Sequence, residues 1–230
     1  MDALNCDALS VREVNHHLRR MPSGASCSIA APRGKHNLGV GLTETIDITI
    51  EGNAGYFVGG LGGRGDGTGP HITVDGFVGW SVGENLMGGT VRVRGSASQS
   101  AASSARGGAV VVEGDASLRA GISLKGATLA VAGDVGAMAG FMAQSGTILV
   151  GGDAGHGLGD SLYEAVIYVA GAIASLGADA RVEEMVDDDI LEVKRLVELT
   201  GFDHIDPGRV TKVISARTLY HFSADHHGVY

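Results

Sequence analysis

Four groupings in this 230-residue chain hold residue types capable of chemistry. The first is the glycine loop from Gly59 to Gly69, GGLGGRGDGTG, whose bare backbone amides would suit a phosphate. It lacks a Gly-Lys-Ser/Thr ending and runs into a strand pattern rather than a helix, so it reads as an inserted loop. The second grouping is the histidine pairs His16/His17 and His226/His227. With no carboxylate or cysteine at ligand spacing, they read as solvated residues rather than metal ligands. The third is Asp115, Asp134 and Asp153, three carboxylates at equal spacing. Stacked like charges about 4.8 Å apart repel in a catalytic cleft. A solvated corner, with the side chains bonding backbone N–H groups, fits them better. The fourth is Gly159-Asp-Ser-Leu-Tyr163, which has no glycine after the serine and so is no nucleophile elbow. Cys6 and Cys27 fit neither a disulfide framework nor an iron–sulfur spacing. The expectation is a chain with no catalytic, cofactor-binding or metal residues.

The elements that carry these groups follow from the glycines. There are 38 of them with only 4 prolines, against 44 % hydrophobic and 19 % charged residues. That balance supports a buried core and excludes collagen and global disorder. The net charge is −9 and there are four lysines (Lys35, Lys125, Lys194, Lys212), which excludes nucleic acid and anionic membrane as partners. The stretch from Val135 to Gly152 is uncharged but holds five glycines, so no membrane span is expected there. The N-terminal residues show no secretion pattern, and a cytoplasmic location is expected.

One phrase recurs: apolar, any, apolar, any, Gly. It ends at Gly52, Gly76, Gly95, Gly114, Gly133, Gly152 and Gly171, with one interval of 24 residues and five of 19. The long interval holds the glycine loop. Small residues also mark the position seven after each repeat glycine: Gly59, Gly83, Ala102, Gly121, Gly140 and Gly159. Apolar-x-apolar is a short strand with one face inward, and the repeat glycine is expected to turn the chain at positive φ. Equal registers stack such strands as parallel ladders. The predicted fold is all-β, a single-stranded right-handed parallel β-helix of about seven 19-residue coils.

Three segments are expected: a cap over 1–45, the β-helix over 46–180, and a C-terminal helix with a docking tail over 181–230. Ser10 to Arg20 has the spacing of an amphipathic helix. A second helix is predicted over 182–200, with Gly201 as its C-cap. In the tail, Arg217, Tyr220, Phe222 and Tyr230 form a candidate partner interface, with folding back on the solenoid's own flank as the open alternative. From Gly95 to Gly171 there are only six acids and three bases, so this surface is expected to be covered by other proteins.

The glycine repeat, HNLGVGL (His36 to Leu42), GDSLYEAVIYVAG (Gly159 to Gly171) and ASLGADA (Ala174 to Ala180) resemble the C-terminal GXGXG β-helix domain of the glutamate synthase large subunit. With the helix and SARTLYHF (Ser215 to Phe222), the chain is most similar to the separate-subunit version found in N-methylglutamate synthase and related complexes. The resemblance implies a non-catalytic structural subunit in a hetero-oligomer. Its implied partners are a class II amidotransferase-like subunit and an FMN/iron–sulfur synthase-like subunit, which would carry the FMN and the cluster. The alternative is the similar β-helix chain of formylmethanofuran dehydrogenase or of the formyltransferase/hydrolase complex. That group repeats a Met-x-Gly-Gly phrase, which only Met87-Gly88-Gly89 approaches here.

Overall fold

The computed structural model describes residues 2–217. Among these, nine parallel strands stack in chain order: β1 (Asp2–Asn5), β2 (Ser26–Ala30), β3 (Asp47–Glu51), β4 (Gly67–Val74), β5 (Met87–Val93), β6 (Gly107–Val112), β7 (Lys125–Val131), β8 (Ser145–Val150) and β9 (Val166–Val169). This is the expected parallel β-helix. The repeat phrase marks β3 to β9, and the stack continues below it through β1 and β2. Those two coils escape the repeat because Cys27 pairs with Ile48 where later coils carry isoleucine, valine or leucine, and Ala31 stands two residues after Ile29 where later coils carry glycine.

The interior is built from two strand columns. One runs Ile48, Ile72, Val91, Val110, Leu129, Ile148, Ile167, and the other Ile50, Val74, Val93, Val112, Val131, Val150, Val169. All are buried. Each such side chain contributes roughly 1.5–3 kcal/mol on burial. A third column of parallel bridges, from Ala54 through Val78, Ala97, Ala116, Val135 and Ala154 to Ile173, closes another side of each coil.

Helix α1 (Val11–Leu18) lies between β1 and β2 in the chain. Ser10 and Glu13 form a reciprocal capping box at its start, and Val14 and Leu18 are buried, as the spacing predicts. Buried Asn15 fastens the helix to the HNLGVGL segment. Its Nδ2 donates to the Asn37 carbonyl at 2.6 Å, and its Oδ1 accepts the Gly39 N–H at 2.8 Å.

At the other end come β10 (Ala180–Glu183), α2 (Asp187–Thr200) and β11 (Thr211–Ser215). Strand β11 runs antiparallel against β9, and β10 against β11. Helix α2 starts five residues later than predicted, because Val182 is taken up by strand pairing with Val213. Gly201 ends it with φ 77°, the left-handed C-cap expected.

Helix α2 covers a second apolar cluster on the outer face of the sheet. The outward residue of each strand runs Thr49, Thr73, Arg92, then Val111, Ala130, Leu149, Tyr168. The last four are buried with Val193, Leu196, Phe202, Ile205 and Val210. The chain up to Arg217 therefore folds back on the solenoid's flank. Phe202, directly after the C-cap of α2, is part of this core.

Candidate functional site

The seven repeat glycines share a position but not the expected conformation. Only Gly52 has positive φ, at 123°. The later ones are glycine because the coil beneath fills the space of a side chain. A Cβ at Gly76 would lie 2.6 Å from Asn53 Oδ1, and a Cβ at Gly133, Gly152 or Gly171 would collide with Oδ1 of Asp115, Asp134 or Asp153. Left-handed backbone falls instead at the position seven after the repeat glycine. Gly121 (φ 73°) would also set a Cβ 2.5 Å from Ile148 Cδ1. Ala102 takes the same conformation at φ 57°.

The carboxylates that crowd these glycines form a ladder up one corner. Asp115 Oδ1 accepts the Asp134 N–H at 2.9 Å, Asp134 Oδ1 accepts the Asp153 N–H at 2.7 Å, and Asp153 Oδ1 accepts the Ala172 N–H at 2.7 Å. Asn53 serves Phe77 likewise at 2.9 Å, and Ser96 serves Asp115 at 3.1 Å. Each side chain satisfies the coil above, so the column is structural.

The glycine loop is the inserted loop expected, with Asp66 accepting the Thr68 N–H at 2.9 Å. His17 pairs with Asp2 at 2.9 Å at the outer surface of α1. Among the described residues, no three His, Cys, Asp or Glu side chains converge on a metal-sized site. None of the described helices is long and apolar enough to cross a membrane. Arg217 is exposed and forms an ion pair with Asp179. Tyr220, Phe222 and Tyr230, the rest of the candidate interface, lie outside the described residues, as do His226 and His227.

The surface feature that stands out was not read from the sequence. Tyr56 and Trp80 each lie four residues after a repeat glycine, so the coil step stacks their rings, with centroids 5.2 Å apart and planes 15° apart. His36 stacks on the other face of Tyr56 at 4.3 Å. Its Nδ1 accepts the Tyr56 N–H at 2.8 Å, which puts the ring proton on Nε2. Phe57 meets Tyr56 edge-on at 6.5 Å. Trp80 is 47 % exposed, Phe77 45 % and Phe57 38 %. Gly55 makes room for this stack, since a Cβ there would run into the His36 ring. Exposed large aromatics, clustered and held rigidly on a sheet scaffold, are the composition of a protein-binding hot spot.

A buried polar link holds the flank. Asp189 accepts from the Tyr168 hydroxyl at 2.7 Å, the Val186 N–H at 2.9 Å and Lys212 Nζ at 2.9 Å. Lys212 also pairs with Glu183 at 3.0 Å. Burial and the neighbouring Asp189 carboxylate push the Tyr168 phenol above its ordinary value, so it stays a donor. Every strong acceptor here is matched, which makes this link a fastening for α2.

No family model matches the chain. It is 45 % identical to Protein GlxC of Rhizobium meliloti (strain 1021) over 233 residues, covering 100 % of each chain.

Proposed function

This chain belongs to the family of Protein GlxC, and we propose that it is a non-catalytic structural subunit of a multi-subunit glutamate-synthase-like enzyme. The observation that carries the reading is the exposed stack of His36, Tyr56 and Trp80, flanked by Phe57. The solenoid interior is filled by its own side chains, so the molecule acts through its surface, and this corner is built to be covered. The resemblance of the repeat, HNLGVGL and GDSLYEAVIYVAG supplies the rest. The partners are an amidotransferase-like subunit and an FMN/iron–sulfur synthase-like subunit, which the β-helix braces against each other. The reaction of the complex is the N-methylglutamate synthase type, forming N-methylglutamate from glutamate and methylamine with release of ammonia.

Affinity purification of the tagged chain from its native host tests this. The expected product is a yellow-brown complex containing FMN, an iron–sulfur cluster and an amidotransferase-like chain. Recovery of a molybdenum or tungsten protein instead would transfer the chain to the formylmethanofuran type. The isolated chain should show no turnover with glutamine, glutamate, 2-oxoglutarate or methylamine, and measured turnover would overturn the structural role.

A further inference from the structure

A cleft of about 600 Å³ opens on a different side of the stack, lined by Arg106, Lys125, Gln144, Ser145, Tyr163 and Glu164. Arg106, Lys125, Gln144 and Tyr163 each lie eleven residues after a repeat glycine, so they form one column. Backbone bonds set the step: the Lys125 N–H donates to the Ala105 carbonyl at 2.8 Å, and the Gln144 N–H to the Leu124 carbonyl at 2.7 Å. Two cations thus stand on adjacent coils, with backbones about 4.8 Å apart, well inside the screening length of about 8–10 Å. Like charges directly opposite each other in a ladder are destabilising.

The chain has 26 acids against 17 bases, and two arginines of the strand ladder are paired, Arg92 with Glu113 at 2.8 Å and Arg94 with Asp75 at 2.8 Å, whereas Arg119, alone on its coil corner, is in no ion pair with a described residue. Among the described residues, Arg106 and Lys125 are in none of the chain's ion pairs. In a chain so rich in acids, two stacked bases left facing a cleft are arranged for an anion from outside. The Gln144 amide and the Ser145 hydroxyl add neutral donors on the next coil. Glu164 lines the same cleft one coil above Gln144, its N–H donating to the Gln144 carbonyl at 2.9 Å, two coils from Lys125. A planar guanidinium, an ammonium and two neutral donors match the oxygens of a tetrahedral dianion.

We propose that the Arg106–Lys125 cleft binds a phosphate-type oxyanion, free or as a phosphate monoester. The site is independent of the aromatic corner and of the structural role above. The four lysines make the test direct: amine-reactive labelling of the purified full chain, resolved by peptide, in inorganic phosphate or glycerol 3-phosphate against chloride at equal ionic strength. Phosphate should lower Lys125 labelling about fivefold at several times its dissociation constant and leave exposed Lys194 unchanged. Arg106→Gln, at an exposed side chain, should raise the half-protecting concentration roughly tenfold. Stronger protection by glycerol 3-phosphate than by phosphate would identify the ester as the preferred form. If Lys125 labelling tracks Lys194 at every concentration of both anions, or Arg106→Gln is protected like the parent chain, the proposal fails.

Discussion

The Tyr168 hydroxyl donates a 2.7 Å hydrogen bond to the carboxylate of Asp189, joining the outer face of β9 to the first turn of α2. The same carboxylate takes the Lys212 ammonium from β11. Three elements of the flank therefore meet at one acid. Burial alone would raise the Asp189 carboxyl, but the Val186 N–H, the Tyr168 hydroxyl and Lys212 outweigh it and hold it below its ordinary value.

The sign of the pH effect follows. A depressed carboxyl stabilises the fold above its unfolded value, near ~3.9, and that contribution is lost as pH falls through the folded value. Thermal melts should show the parent chain losing stability below about pH 4 faster than Asp189→Asn. At neutral pH Asp189→Asn should cost roughly 1–3 kcal/mol and Tyr168→Phe about 1 kcal/mol in urea unfolding. Equal pH profiles for parent and Asp189→Asn would remove the acid from its fastening role.

Two glycine columns with different physics should respond differently to alanine. At Gly133 the obstacle is the Asp115 side chain, so Gly133→Ala should cost about 1–3 kcal/mol and Asp115→Ala should recover part of it. At Gly121 the obstacles are positive φ and the Ile148 side chain of the core, so removing Asp115 should recover nothing. A double-mutant cycle in denaturant measures both.

Trp80 is the chain's single tryptophan, so fluorescence of the isolated protein reports the aromatic corner directly. Acrylamide should quench it efficiently, as befits a ring 47 % exposed. Trp80→Ala and Tyr56→Ala should unfold within about 1 kcal/mol of the parent, yet lose the partner chains in the native-host purification, as hot-spot truncations do. Full retention of partners by the double variant would move the interface elsewhere.

Arg92 on β5 donates to the Thr200 carbonyl at 3.1 Å and to Glu113 at 2.8 Å, placing a cation at the C-terminus of α2. Arg92→Ala should cost about 1 kcal/mol and speed amide exchange in the last turn of α2, with the β-helix core unaffected. Unchanged exchange around Thr200 would contradict the capping role.

Much of this was legible because a solenoid writes its register into the chain. The 19-residue glycine spacing gave the parallel ladders, and the aspartate spacing gave the solvated corner. The docking of α2 was also written in the sequence: the middle residue of the strand phrase changes from Thr49, Thr73 and Arg92 to Val111, Ala130, Leu149 and Tyr168. A strand apolar on both faces is covered on both. The β2 coil was hidden because Cys27 and Ala31 fill the repeat positions. The aromatic corner was hidden because His36, Tyr56 and Trp80 come together only once the 24-residue coil is closed. The Arg106–Lys125 pair was visible as two isolated bases, and only stacking made them neighbours.

The aspartate ladder runs one way. Each side chain reaches upward to the next backbone and none reaches down, so every rung is prepared by the one before it. Asp153 offers its oxygen to Ala172, and Ala172 has nothing to hand on. An added copy of the coil from Asp134 to Gly152 would find acceptor and donor waiting on both sides, whereas an added coil above Ala172 would begin without support. The ladder therefore ends at a single methyl side chain, one coil face before β11 closes the stack by pairing antiparallel with β9.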